Sequence, residues 1–333
     1  MVSGKMIGLT PKITTVLPRI LAGVLATREP QKYLDQRTTG MAESQVNFTN
    51  EVLLSTPIRV PAMREQRRIA EILDTVDDAI HSTDRLIRKL ELTKQGLLDD
   101  LLTRGLDERG ELRDPDRHPG QFIRTAIGPL PAAWELLPVH RHFDAKLGKM
   151  LSPASKTGRQ MFPYLANRNV QWDRLDLSDL DEMEFSGQER EKYQLEFGDV
   201  LVCEGGEVGR TAVWRNAMPN CYFQKAVHRL RSRGEILPEY FSAYMRFAAS
   251  TGRFSHLSSQ TSIAHLTAEK LAQLLVPTPS VGEQRSIVGL LMAASEQSAG
   301  CSAERDKLRV LKAGLMDDLL TGRVHVSSAE HAA

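Results

Sequence analysis

From Ile69 onward, apolar residues recur along the chain at alternating steps of four and three. Ile69, Val76, Thr83, Leu90 and Leu97 occupy one position of a seven-residue frame. Leu73, Ile80, Ile87, Lys94 and Leu101 occupy its companion. This spacing predicts a long helix with an a/d seam that packs on another helix. The frame returns at Ile287, Ala294, Cys301, Leu308 and Leu315, beside Leu291, Ser298, Arg305, Lys312 and Leu319. Its centre is poor in large apolar groups, so this second helix needs a partner to stay folded. Pro61 and Pro279 stand just before the two helices, and Gly105 and Gly322 stand at their ends. Those are the places where proline starts and glycine stops a helix. A helix over residues 65–102 would span ~57 Å at about 1.5 Å per residue.

The two stretches are one segment copied. Residues 48–105 and 266–323 align without a gap, and 19 of 58 positions are identical. Glu65-Gln66-Arg67 repeats as Glu283-Gln284-Arg285, and Asp99-Asp100-Leu101-Leu102-Thr103 repeats as Asp317-Asp318-Leu319-Leu320-Thr321. Two such helices in one chain, joined by a long insertion, predict an antiparallel coiled coil. A plain dimerisation zipper is the alternative, but it leaves the insertion unexplained. Lys94 and Lys312 fall on apolar seam positions. Lysine there can fix register at a cost in stability, or lay its stem along the seam with the ammonium in solvent. The second reading is favoured; contact with a partner helix is a third.

Between the copies the pattern changes. Residues 106–133 read as a linker crowded with Asp107, Glu108, Gly110, Asp114, Pro115, Asp116, Pro119 and Gly120. Residues 134–265 carry short apolar runs bounded by turns, which predicts a mixed α/β domain. Val200-Leu201-Val202 reads as a buried strand after the turn Phe197-Gly198-Asp199. A tight glycine loop follows at residues 205–209, then a strand at 211–214, and later a helix at 238–247. Residues 18–26 match that last helix, and residues 39–45 match the loop at 259–263. Residues 1–47 therefore read as the tail of a first domain like the middle one, and residues 327–333 as a tail. The fold class is α/β (α+β), a mixed α/β domain plus two long helices.

Composition narrows the function. The 333 residues carry 43 Lys+Arg against 42 Asp+Glu, a net charge of +1. Affinity for nucleic acid must then come from local patches. No run approaches the roughly 18 apolar residues of a membrane span. The three cysteines lack metal-ligand spacing and fit a reduced, cytoplasmic protein. Cys203 and Cys221 are expected to be buried free thiols. His140 and His142 alternate, but no Cys, Asp or Glu at ligand spacing completes a metal site. No phosphate-binding loop, methyltransferase motif or paired-carboxylate nuclease site is present. No catalytic, cofactor or metal residue is assigned.

Charge in the middle domain is uneven. Residues 141–170 hold Arg141, Lys146, Lys149, Lys156, Arg159 and Arg168 against one acid, Asp144. Residues 173–199 are strongly acidic and are expected to face away from any polyanion. Basic groups can neutralise phosphates and release counterions. Lys146, Lys149, Lys156 and Arg159 suit phosphates. Asn167, Arg168, Asn169, Arg210, Gln224 and Lys225 suit base edges, since Arg pairs with guanine and Asn or Gln with adenine. Turn formation is the competing role for the asparagines, and a plain hairpin for the Gly205-Gly206 loop.

A proline, then Glu-Gln-Arg, then a long helix ending Gly-Leu-Leu-Asp-Asp-Leu-Leu-Thr resembles the repeated region of type I restriction-modification specificity subunits. Ile127-Gly128-Pro129-Leu130-Pro131 with Trp134-Glu135 is similar to the start of a target-recognition domain in that family. Gly198-Asp199-Val200-Leu201 and Gly209-Arg210 also match. The resemblance implies a non-catalytic subunit with two recognition domains, each reading half of a split double-stranded DNA sequence. An antiparallel coiled coil would fix their spacing. Methyltransferase subunits would bring S-adenosylmethionine, and motor-nuclease restriction subunits would use ATP and Mg. A complete member would begin with a first recognition domain of the size of the second, whereas some 47 residues precede the first repeat here. The expectations are a truncated subunit, a misassigned start, or a half-type subunit pairing with a second copy. A structural adaptor without full recognition is the alternative function.

Overall fold

The computed structural model describes residues 9–12, 14–38, 48–156, 158, 160–254 and 265–326. The chain divides into two compact units, one of residues 1–91 and 296–333, the other of residues 92–295. The division falls inside the two long helices.

The first unit contains α1 (Pro18–Leu25), α2 (Arg28–Asp35), α3 (Asn50–Leu54) and most of α4 (Met63–Thr103). Ile20 and Val24 of α1 join Ile69 and Leu73 of α4 in one apolar cluster with Leu319 and Leu320. The last two belong to the C-terminal part of the final helix, α9 (Val281–Thr321). The start of α4 thus packs on the end of α9, an antiparallel arrangement.

Further along that pair, Lys312 Nζ lies 2.6 Å from Asp77, while Arg305 and Arg309 lie 3.7 and 3.6 Å from Asp84. The reading of Lys312 as a stem with its ammonium in solvent is corrected: the charge is bound to the facing helix. Ile80 and Ile87 are buried in the α4 seam. On the α9 seam Cys301, Arg305, Leu308 and Lys312 are half buried.

The second unit begins with the end of α4. The stretch read as linker holds a hairpin, β1 (Phe122–Thr125) with β2 (Gly128–Pro131). Next come β3 (Glu135–Pro138), α5 (Val139–His142), β4 (Phe143–Leu147), β5 (Met161–Leu165), β6 (Val170–Gln171), β7 (Arg174–Leu175), β8 (Asp181–Glu184) and α6 (Gly187–Tyr193). The chain continues with β9 (Val200–Cys203), β10 (Thr211–Val213), β11 (Tyr222–Phe223), β12 (Val227–Ser232), α7 (Pro238–Ser250), α8 (Ala268–Gln273) and β13 (Leu275–Thr278). A four-stranded antiparallel sheet runs β10-β9-β12-β4, and a three-stranded sheet runs β11-β5-β8.

Strand β9 is buried on both faces, which its unbroken Val-Leu-Val-Cys run requires. One face meets Phe241 and Met245 of α7, with the Phe143 and Phe241 rings 4.6 Å apart. The other meets Trp214, Phe223 and Cys221. Cys203 and Cys221 are both free and buried. Burial pushes the Cys221 thiol up to about 12, so it is inert. Tyr240 and Tyr244 donate to the carbonyls of Pro277 and Leu275, tying α7 to β13. Strand β13 pairs antiparallel with β3.

Each long helix is fastened by a buried glutamine near its start. Gln284 Oε1 accepts from Leu237 N at 2.8 Å, and its Nε2 donates to the carbonyls of Glu235 and Pro279. Gln66 Oε1 accepts from Leu17 N at 2.9 Å, and its Nε2 donates to the carbonyls of Thr15 and Pro61. Leu237 caps α7 and Leu17 caps α1, each just before a proline. Thr49 and Thr267 likewise cap α3 and α8 through their hydroxyls. The first unit therefore repeats the closing part of the second, element for element. The loops at 39–45 and 259–263, which the sequence also matches, lie outside the described residues.

Candidate nucleic-acid interface

Four strands of the second unit end at a common rim. Gln224 N donates to Leu165 O, Lys225 N to Lys149 O, and Glu204 N to Ala226 O. These bonds stitch together the ends of β4, β5, β9 and β11. Gly148 passes so close to the Gln224 and Lys225 backbone that a side chain there has no room. Ala226 adopts φ +80°, a left-handed conformation that costs a residue with a Cβ about 1–2 kcal/mol. Such strain is concentrated at functional sites.

Two of the candidate base readers meet on this rim. Asn167 Nδ2 donates to Gly205 O at 3.1 Å, and Arg210 Nη2 donates to Asn167 O at 2.7 Å. Asn167 Oδ1 and Arg210 Nε are buried and have no hydrogen-bond partner among the described residues. Gln224 is half buried beside them and Lys225 is exposed. The glycine loop sits under Asn167, so Gly205 and Gly206 are part of this cluster and more than a hairpin tip.

The remaining candidates differ. Asn169 is buried; its Oδ1 accepts from Ala166 N and its Nδ2 donates to the Asp176 and Asp179 carbonyls. Its amide holds the turn that presents Asn167. Arg168 is exposed but engaged by Asp181 at 2.8 Å and Asp179 at 3.7 Å. The Asp181 partner raises the arginine's pKa, and Arg168 in turn holds the Asp181 carboxyl below its usual range. Lys149 Nζ lies 2.7 Å from Glu189 and donates to Glu184 O. Burial pushes the Glu189 carboxyl up, but Lys149 and the Ser186 amide outweigh it and lower the pKa. Lys146 lies near the end of β4, opposite Arg229. Lys156 is exposed in a short turn of helix. Arg159 lies outside the described residues.

Two acids of the stretch 173–199, Asp181 and Glu189, pair with two of the basic candidates, Arg168 and Lys149. Alternating charge runs in sequence cannot show this, because β5 and β8 pair antiparallel and bring the runs together.

Sequence reasoning also missed two groups. Trp172 Nε1 donates to Glu207 at 2.6 Å, with Arg246 over the ring, at the outer edge of the glycine loop. Glu283 is the hub of the second unit. It accepts from Arg113 at 2.6 Å, from Trp134 Nε1 at 3.1 and 3.2 Å, and from Leu106 N at 2.8 Å. Its place in the repeated Glu-Gln-Arg was the available signal. His142 is buried against Thr278 and Glu235, and burial lowers its pKa. Among the described residues no cluster of His, Cys, Asp and Glu could hold a metal, and no helix is long and apolar enough to cross a membrane.

A duplicated long helix and closing motif, with an α/β domain that ends in a polar rim, defines a repeat-built scaffold carrying a binding domain. Residues 1–92 and 143–299 match the model of the type I restriction modification DNA specificity domain, and the chain belongs to that family.

It is 22% identical over 311 residues to the putative type I restriction enzyme MjaX specificity subunit of Methanocaldococcus jannaschii, covering 89% of this chain and 65% of that protein. It is 20% identical over 308 residues to the type I restriction enzyme MjaVIII specificity subunit of the same organism, covering 90% and 68%. The chain thus spans about two thirds of the length of these relatives. The fold is similar to the HsdS subunit of Thermoanaerobacter tengcongensis (TM-score 0.53, 18% identity, 93% of this chain and 71% of that one). It is also similar to a chain from a structure concerned with complex assembly and conformational transition of the type I R-M system (TM-score 0.61, 19% identity, 93% and 72%).

Proposed function

We propose that the chain is a DNA-binding specificity subunit of a type I restriction-modification complex. The α/β domain reads one half of a split double-stranded sequence through the rim formed by Lys149, Asn167, Arg210, Gln224 and Lys225. The observation that carries this reading is the convergence of the half-buried Asn167 and Arg210, joined by a hydrogen bond, on a rim with an exposed lysine. Arg and Asn are the side chains that pair bidentately with guanine and adenine. Lys146 and Lys156 suit phosphates. The chain itself performs no catalysis. Methyltransferase subunits bind the helical scaffold and supply S-adenosylmethionine, and restriction subunits supply ATP- and Mg-dependent chemistry, in the cytoplasm. The paired helices set the separation of the two half-sites.

One observation favours a second reading, the structural adaptor. Glu189 and Asp181 neutralise Lys149 and Arg168 within the fold, which leaves less charge for phosphates. Titrating the assembled complex with a DNA duplex at rising salt separates the two. A specificity subunit making about five phosphate contacts loses affinity with a log–log slope near −4 to −5. An affinity flat in salt leaves only the adaptor.

A further inference from the structure

One large apolar side chain stands in the open beside the polar rim. Met150 is 64% exposed. It follows Lys149, whose N–H donates to Phe223 O and whose carbonyl accepts from Lys225 N. Lys149 thereby pairs in parallel with Gln224. Just before it, Gly148 crosses the Gln224 and Lys225 backbone where no Cβ fits. A close crossing and two backbone hydrogen bonds therefore hold the Met150 backbone next to Gln224 and Lys225.

The side chains before and after Met150 turn inward. Lys149 Nζ is bound to Glu189 and to the Glu184 carbonyl, and it lies over the Phe185 ring at 5.0 Å. Leu151 packs on the cluster of Tyr164, Met183, Phe185 and Tyr222. Met150 between them faces solvent. Scattered exposed apolar residues are ordinary. Among the described residues of the second unit, the others lie on the long helices (Leu92, Leu290, Met292), at Leu112 and Ile123, and before β9 at Phe197. Met150 alone among them is fixed by the backbone crossing that builds the rim.

We infer that Met150 is a specificity-determining residue that touches the 5-methyl group of one thymine in the recognised DNA. The inference rests on the DNA-binding reading above and deepens it. In the major groove, base edges present hydrogen-bonding groups and one apolar group, the thymine methyl. Asn167, Arg210 and Gln224 are suited to the former, and Met150 to the latter. Its unbranched, polarisable side chain adapts to a methyl group without a preformed pocket. Cytosine in the same place has no methyl and presents an amino donor, for which a thioether is a weak acceptor.

The test is equilibrium binding by the complex assembled with its methyltransferase subunits. The natural recognised duplex is compared with a set in which deoxyuridine replaces one thymine at a time. Uracil pairs as thymine does and lacks only the methyl. At one position wild type should bind the uracil duplex about fourfold more weakly, the worth of one buried methyl group. Met150→Ala should bind the natural duplex about fourfold more weakly and lose nothing further at that position. Met150→Leu should keep the thymine preference. Because the side chain is exposed, Met150→Ala should leave thermal unfolding and binding to an unrelated duplex unchanged. Sensitivity to uracil that is the same in wild type and Met150→Ala at every position, or no sensitivity in wild type, would overturn the contact while salt-dependent, selective binding stands. Equal weakening on the unrelated duplex would overturn its role in specificity. Binding of the natural duplex that is flat in salt would overturn the DNA reading and the contact with it.

Discussion

Asp77 stands between two cations. Lys312 of the facing helix lies 2.6 Å away and Arg19 of α1 lies 2.5 Å away. Burial pushes the carboxyl up, but the bonds from Lys312 and Arg19 prevail and hold it below its usual value. A group with a lowered folded pKa stabilises the protein above its unfolded value, near 4, and loses that contribution as pH falls through the folded value. Asp77→Asn should therefore cost about 1 kcal/mol at neutral pH, allowing for partial exposure. The gap to wild type should close progressively below about pH 4. Thermal unfolding from pH 7 to pH 2 checks this; a gap that persists at pH 2 would assign the effect to packing.

At the scale of elements, the close of α4 is the tightest junction. Gly105 has φ +61°, and a Cβ there would run into Glu283, Trp134 and Arg113. Gly105→Ala should destabilise the protein by about 2 kcal/mol or more, since the left-handed conformation alone costs about 1–2 kcal/mol. Urea denaturation measures it, and a loss below about 0.5 kcal/mol would show that Trp134 moves aside freely.

The long helices and the most apolar strand were legible in the sequence, whereas most of the short strands were not. The heptads gave both long helices, Pro18 and Pro238 marked α1 and α7, and the apolar run at Val200 gave β9. The site was less legible. Loop residues such as Asn167 and Arg210 could be singled out by type, but which of them converge depends on strand pairing between segments far apart in sequence. The capture of Arg168 by Asp181 and of Lys149 by Glu189 was hidden for the same reason. So was the role of Asn169, whose amide is turned inward by its own turn. Lys312 looked like a solvent-seeking lysine because the heptad pattern shows only its own helix and not the aspartate opposite.

For the whole molecule, the proposed role of the helices is a spacer. Removing one heptad from both α4 and α9 shortens each by about 10 Å, close to three base pairs at 3.4 Å each. The modified complex should then methylate a split sequence whose spacer is shorter by about that amount. An unchanged spacer in a methylation assay would refute the proposal. The contribution of the rim is tested most directly by Arg210→Ala in the assembled complex. Affinities for the recognised duplex and for an unrelated duplex are compared at one salt concentration. The rim reading predicts that discrimination between the two falls by roughly 1–3 kcal/mol, while binding to the unrelated duplex barely changes. Equal loss on both duplexes, or full retention of discrimination, would contradict it.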